Sequence, residues 1–170
     1  MSPEKERTCM DMKSSSPDGH CDARSRAWHT FFRATVCLQN ALEDRLKKKL
    51  SISLADYNIL IALHAVPDRS MRMGQLAAHV YYSPSRVTYL VTQLTKDGYI
   101  AHVQSQEDAR AVLVSLTEQG MDVVHRAYEL HQELVRELII RELEEDKVDA
   151  LVDIFNDIEG HLASVYDEKA

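Results

Sequence analysis

Residues 83–98 constrain this chain more than any other part of it. Ser83 is placed to cap a helix, because its side-chain oxygen can accept one of the N–H groups left unpaired in the first turn. Pro84 follows at the first helical position, where the missing N–H costs nothing. Val87, Leu90, Val91 and Leu94 then recur at i, i+3, i+4 and i+7, which makes one buried stripe. Gly98 ends the pattern, as suits a residue that tolerates the left-handed conformation after a helix. Ahead of this stretch, residues 74–80 (Gly74-Gln75-Leu76-Ala77-Ala78-His79-Val80) read as a shorter helix. Residues 74–98 therefore read as helix, turn, helix.

The side chains opposite the apolar stripe are Ser85, Arg86, Thr88, Tyr89, Gln93 and Lys96. They are hydrogen-bonding groups of the kind that contact base edges and phosphates. Arg86, Tyr89 and Gln93 are the candidates for bases. Ser83, Ser85 and Thr88 are the candidates for positioning the helix on phosphates. Past Gly98, Ile100 to Val103 and Val112 to Leu116 are short β-prone runs. The polar stretch Gln104-Ser105-Gln106-Glu107-Asp108-Ala109-Arg110 lies between them. That is a hairpin with a long exposed tip, and helix-turn-helix plus hairpin is a winged helix.

The run Glu107-Asp108-Ala109-Arg110-Ala111-Val112-Leu113-Val114-Ser115-Leu116-Thr117-Glu118-Gln119-Gly120 resembles the wing signature of the MarR family of bacterial transcriptional regulators. The Ser83–Gly98 helix resembles that family's recognition helix. The resemblance covers about residues 24–165. It implies that Arg110 enters the minor groove of double-stranded DNA, with Asp108 helping to orient it. An arginine there is physically sensible, because a narrow minor groove has an enhanced negative potential. The resemblance also implies that the terminal helices form a homodimer interface, and that Met71 to Met73 form a short strand joining the wing.

The chain has 170 residues, enough for one subunit with its own core and no disulfide or metal staple. No apolar run approaches the ~20 residues needed to cross a bilayer, and no signal peptide is visible. A cytoplasmic protein without membrane contact is expected, and with it reduced thiols at Cys9, Cys21 and Cys37. The net charge of −7 is unevenly spread: +3 over residues 1–50, zero over 51–116 and −10 over 117–170. The acid is thus concentrated away from the reading helix. Phosphate contact is expected from a few placed groups and helix N-termini rather than from a broad basic patch.

Residues 1–22, with Ser14-Ser15-Ser16-Pro17-Asp18-Gly19, have the composition of a disordered tail. Residues 23–170 are expected to form the subunit. Its DNA-binding part is about 52–116, and its dimerisation helices are about 24–50 and 117–166. The first helix carries a stripe of Trp28, Phe31, Phe32, Thr35, Leu38, Leu42 and Leu46. A Lys47-Lys48-Lys49 run closes it, complementing the helix dipole. Ser53-Leu54-Ala55-Asp56 reads as a capping box with Asp in place of Glu. The helix it opens should turn Tyr57, Leu60, Ile61 and His64 to one face and stop before Pro67. Thr117 can cap the next helix, with Val124, Tyr128, His131, Val135, Leu138 and Ile139 inward. The last helix should bury Leu151, Val152, Ile154, Phe155, Ile158, Leu162 and Val165. The fold class is mainly α: a winged helix-turn-helix with long N- and C-terminal helices forming a dimerisation bundle.

Enzyme chemistry finds no support. There is no nucleophile elbow, no phosphate-cradling Gly-rich loop and no HExxH, and the chain holds only 5 glycines with which to build tight catalytic loops. The eight histidines show no H-x-x-x-H spacing, so no metal or other cofactor is expected. In MarR-like proteins small aromatic or lipophilic ligands often bind between the dimerisation helices and the reading module. Trp28, Phe32, Tyr57, His64 and Tyr128 are the candidates to line such a pocket, with core packing as the alternative for each. The expected function is a repressor that binds an inverted-repeat operator as a homodimer and is released by such an effector. Two further readings stay open. One is a redox-responsive regulator of the same fold, sensing through Cys37, with a buried small hydrophobe as the plain alternative. The other is a helical protein–protein adaptor that no longer reads DNA.

Overall fold

The structure, a computed structural model, describes residues 22–104 and 112–167. In chain order they form α1 (Ala23–Leu50), α2 (Leu54–His64), β1 (Ser70–Arg72), α3 (Met73–His79), α4 (Pro84–Lys96), β2 (Ile100–Gln104), β3 (Val112–Leu116), α5 (Glu118–Leu138), a 3₁₀ turn (Ile140–Glu142) and α6 (Glu145–Asp167). The mainly helical class with a small sheet is the one expected. The sheet is antiparallel in the order β1-β3-β2. Val114 at its centre pairs with Met71 on one side and His102 on the other. The chain divides by its packing into two units, Met1–Ala127 and Tyr128–Ala170. The tail expected over residues 1–22 lies outside the described residues, except Asp22, whose carboxylate accepts the Ser25 N–H at 2.7 Å and caps α1.

Within the first unit the core is built around α2. Its capping box is formed: the Ser53 hydroxyl accepts the Asp56 N–H at 3.0 Å, and the Asp56 carboxylate accepts the Ser53 N–H at 2.9 Å. The single buried face expected for α2 is not what the structure shows. Tyr57, Ile59, Leu60, Ala62 and Leu63 are buried, whereas Ile61 and His64 are only half-buried. The reason is that α1, α3, α4, β1 and β3 all pack against this helix, so burial extends well beyond one stripe. Leu76, Val87, Val91, Leu94, Ile100, Val114 and Val124 complete the same core.

Glu43 joins α1 to α2. Its carboxylate accepts the Leu54 N–H, one of the otherwise unpaired amides of the first turn of α2, and holds Lys47 at 2.7 Å. Partial burial alone would push the Glu43 carboxyl up. The Lys47 hydrogen bond, the Leu54 N–H and the Lys47 charge outweigh it and hold the group below the ordinary value. A depressed carboxyl stabilises the fold fully above its unfolded pKa, and that contribution is lost as pH falls through the folded value. Glu43→Gln, which keeps an acceptor but loses the charge, is expected to cost about 1 kcal/mol at neutral pH. The gap to wild type should close as pH drops below the carboxylate range, which urea unfolding at several pH values would measure.

The long helices are where expectation and structure part. Of the α1 stripe only Leu42 and Leu46 are buried, while Trp28 and Phe32 are 59% and 57% exposed. In α5, Val124 is buried as expected, but Tyr128 and Leu138 are exposed. In α6, Leu151, Val152, Ile154, Phe155, Ile158 and Leu162 are all exposed. Helical spacing marks where a helix carries apolar surface, but not whether the same chain supplies a cover.

Candidate nucleic-acid interface

The reading head begins at the turn between α3 and α4. Tyr81 adopts φ 54°, a left-handed conformation that is uncommon for a non-glycine residue. The Tyr81 N–H donates to Ala78 O at 3.3 Å and the Tyr82 N–H to Ala77 O at 3.2 Å. This pair is a Schellman closure of α3, and it aims the chain directly into α4. Ser83 then caps α4, its hydroxyl accepting the Arg86 N–H at a long 3.4 Å and lying 3.3 Å from the Ser85 hydroxyl. Val87, Leu90, Val91 and Leu94 are buried as the spacing required. At the other end Gly98 takes φ 79° and the closure repeats, Gly98 N–H to Thr95 O at 3.1 Å and Tyr99 N–H to Leu94 O at 3.0 Å.

The expected contact residues are brought to one solvent-facing side. Ser83, Ser85, Arg86, Thr88 and Tyr89 are exposed, and Gln93 is half-exposed. No residue from Pro84 to Lys96 is acidic, so nothing on this helix repels a phosphate. The Thr88 hydroxyl donates to Pro84 O at 2.9 Å, and Thr92 and Thr95 repeat the pattern with Thr88 O at 2.7 Å and Val91 O at 2.8 Å. Their donors are thus engaged by the helix itself, which leaves these hydroxyls as acceptors. Arg86 lies toward one flank, with its guanidinium carbon 4.1 Å from the centroid of the Tyr82 ring. Tyr82, missed in the sequence, stands just before the N-cap. A hydrophobic residue at that position commonly packs back on its helix, and this rule could have found it.

Asp108 and Arg110 lie outside the described residues. The strands that carry the wing end at Gln104 and resume at Val112. Thr117 ties the wing's return to the reading helix: its hydroxyl donates to Gly98 O at 2.7 Å and accepts the Gly120 N–H at 3.0 Å. The capping role expected of Thr117 for α5 is therefore present.

A family model for transcriptional regulators of the SarA/Rot type matches residues 41–127, just over half of the chain. The chain is a SarA/Rot-family transcriptional regulator. This regulator is 28% identical over 91 residues to the transcriptional repressor IacR of Pseudomonas putida, a match covering 54% of this chain and 53% of that protein. It is 25% identical over 97 residues to the regulator SarZ of Staphylococcus epidermidis, covering 57% and 64%. The chain thus spans between half and two thirds of the length of these curated relatives. Its fold matches that of Sco3205, a MarR family transcriptional regulator from Streptomyces coelicolor solved in complex with DNA. The TM-score is 0.76 at 25% identity, covering 83% of this chain and 89% of that one. The resemblance to the MarR family holds, in fold as in sequence, and the family is one of transcriptional regulators rather than enzymes.

Of the residues proposed for an effector pocket, Trp28, Phe32, Tyr57 and His64 belong to the first unit and differ in burial. Trp28 and Phe32 stack on the exposed side of α1, ring centroids 5.8 Å apart. Tyr57 is buried in the core. The His64 ring meets His125 edge-on at 5.6 Å, and its buried Nδ1 has no hydrogen-bond partner. Tyr128 belongs to the second unit, where burial alone pushes the neighbouring His131 imidazole down. Among the described residues no cluster of three or more His, Cys, Asp or Glu side chains is arranged to hold a metal ion. None of the described helices is long and apolar enough to cross a membrane. Cys37 is disulfide-bonded, so the reduced state expected for all three thiols does not hold for it.

Proposed function

We propose that this regulator is a repressor that binds an inverted-repeat operator as a homodimer. The observation that carries the reading is the exposed, carboxylate-free face of α4, held opposite a fully buried stripe. In this reading α4 enters the major groove. Arg86, Tyr89 and Gln93 contact bases, Ser83 and Ser85 set the helix on phosphates, and Thr88 joins them by turning its hydroxyl proton from Pro84 O to a phosphate oxygen. The wing brings Arg110 to the minor groove beside Asp108. Residues 23–170 act as one subunit, with about 52–116 reading DNA. The helices over about 24–50 and 117–166 pair with a second copy, which is what their exposed apolar side chains support. Two reading heads then fall in successive major grooves, roughly 34–36 Å apart.

Selection of bound duplexes from a random library tests this. An enriched inverted repeat, with affinity falling steeply as salt rises, supports the reading. No enrichment at low salt refutes it and favours an adaptor that binds protein instead. Arg110→Ala is expected to weaken binding to the selected duplex by more than about tenfold, as loss of a minor-groove arginine should, and to leave the dimer intact. Gel-shift titration at fixed salt gives the number.

Release by a small aromatic or lipophilic effector completes the reading, supported by the exposed Trp28–Phe32 pair and the unpartnered His64 Nδ1. A ligand of that kind would favour a spacing of the reading heads that no longer fits the operator. The disulfide at Cys37 favours a second reading, in which oxidation rather than a ligand sets DNA affinity. Mass spectrometry of protein first reduced and then treated with mild peroxide, with gel shifts of Cys37→Ser taken through the same steps, separates the two. A Cys37→Ser protein whose DNA binding still responds to peroxide rules the redox reading out.

A further inference from the structure

We infer that Tyr82 is a positioning residue for Arg86, and that Asn58 holds Tyr82 in place; the inference rests on the reading of α4 as the DNA-contacting helix. The Asn58 amide donates to the Tyr82 hydroxyl at 2.9 Å, across from α2 to the turn that opens α4. The Tyr82 ring is half-buried and packs against the core cluster. On its open side the Arg86 guanidinium carbon stands 4.1 Å from the ring centroid. A side chain of α2, a helix embedded in the core, thus fixes a ring, and the ring fixes the cation.

The arrangement matters because of what arginine recognition requires. An arginine that forks to guanine must place two parallel N–H donors, and free in water it samples many rotamers. A guanidinium laid over an aromatic face keeps its donors, which lie in its own plane, and loses most of its other orientations. The ordering cost is then met during folding rather than on binding. The Schellman closure at Tyr81 and Tyr82, followed by the extended Ser83 cap, is what delivers the ring to this spot beside the first turn of α4. The left-handed Tyr81 backbone is consistent with a turn held for this purpose.

The test is a double-mutant cycle on the full chain with its selected duplex, using Tyr82→Leu, Arg86→Ala and the pair. Tyr82→Phe, which keeps the ring and loses the Asn58 bond, and Asn58→Ala complete the set. Tyr82→Leu is expected to weaken binding about fivefold, and to relax preference at the base pair that Arg86→Ala also relaxes. Tyr82→Phe should recover most of the loss, and Asn58→Ala should match Tyr82→Phe. In the Arg86→Ala background Tyr82→Leu should cost nothing further. A Tyr82→Leu loss that persists in full without Arg86, or that is uniform over all base pairs, overturns the inference and makes Tyr82 a packing residue. Thermal melts confirm that each variant is folded; should the leucine variant not be, the cycle of Asn58→Ala with Arg86→Ala decides, since a small Asn58→Ala loss that vanishes without Arg86 supports the inference, and one that persists, or none at all, overturns it. Wild-type protein that selects no duplex overturns the reading of α4, and this inference with it. Wild-type selection with an uncoupled cycle overturns the inference alone.

Discussion

Replacing Ile158 and Leu162 by glutamate is expected to convert the protein to monomers and to cut operator affinity by at least about a hundredfold. Together with Leu151 and Phe155 these residues recur along α6 at helical spacing, and all four are exposed in the single chain, Leu162 by 50%. Fully burying such a side chain contributes about 1.5–3 kcal/mol. In a two-fold interface every substitution counts twice. Two replacements therefore remove four burials and place four charges where apolar surface should meet. Even at about 2 kcal/mol for each of the four side chains, about 8 kcal/mol in all, far more than a thousandfold is lost in dimer affinity. Operator binding falls with it, because one reading head no longer brings the other to the DNA. Among the described residues no α6 side chain belongs to the buried core, so the helix content should survive. Sedimentation velocity and gel shifts on the same samples decide the question. A variant that still sediments as wild type would show that this face of α6 is not the interface.

The same residues mark the limit of what the sequence conveyed. The periodicity of α6 was plain, and the helix starts within the acidic run Glu144-Glu145-Asp146, which suits the positive end of its dipole. Its expected burial was not found, because a stripe tells only that something must cover it. The reading helix was the opposite case. Ser83, Pro84 and Gly98 each act through local backbone chemistry, and each does in the structure what its type dictates. Around α2 the pattern misled. A one-face reading assumed solvent on the other side, whereas neighbouring helices and strands pack around it.

For the site, the polar face of α4 was legible because one helix turn brings its members together. The Asn58–Tyr82 bond was not, since the two residues lie 24 positions apart and only the tertiary fold makes them neighbours. The disulfide at Cys37 was also missed, because the reduced state had been assigned from an expected compartment rather than from geometry. Tyr81 was overlooked for a different reason. Helix ends in the left-handed conformation are sought at glycine or asparagine, and here a tyrosine fills that position.

Gly120→Ala is expected to destabilise the protein by about 3 kcal/mol, with the melting temperature falling by about 10 °C. Helix propensity argues the other way, since alanine is better than glycine inside a helix by about 1 kcal/mol. Packing decides. A Cβ at Gly120 would lie 2.1 Å from the Tyr99 carbonyl oxygen and 3.1 Å from Leu116 Cδ2. Leu116 could shift by a few tenths of an ångström. The carbonyl cannot, because it is backbone and already accepts the Thr117 N–H at 3.1 Å. Moving it would disturb the junction at which Thr117 ties α4 to α5, and so the frame that holds the wing against the reading helix. Gly160 supplies the contrast: it lies in α6 with nothing within 4 Å of its would-be Cβ. There only propensity acts, and Gly160→Ala should stabilise by about 0.5–1 kcal/mol. Thermal unfolding of the two variants side by side is the measurement. Opposite signs support close backbone packing at Gly120 as the cause. A Gly120→Ala protein as stable as wild type would mean that α5 can move away from Tyr99 at little cost, and that the wing is not rigidly framed.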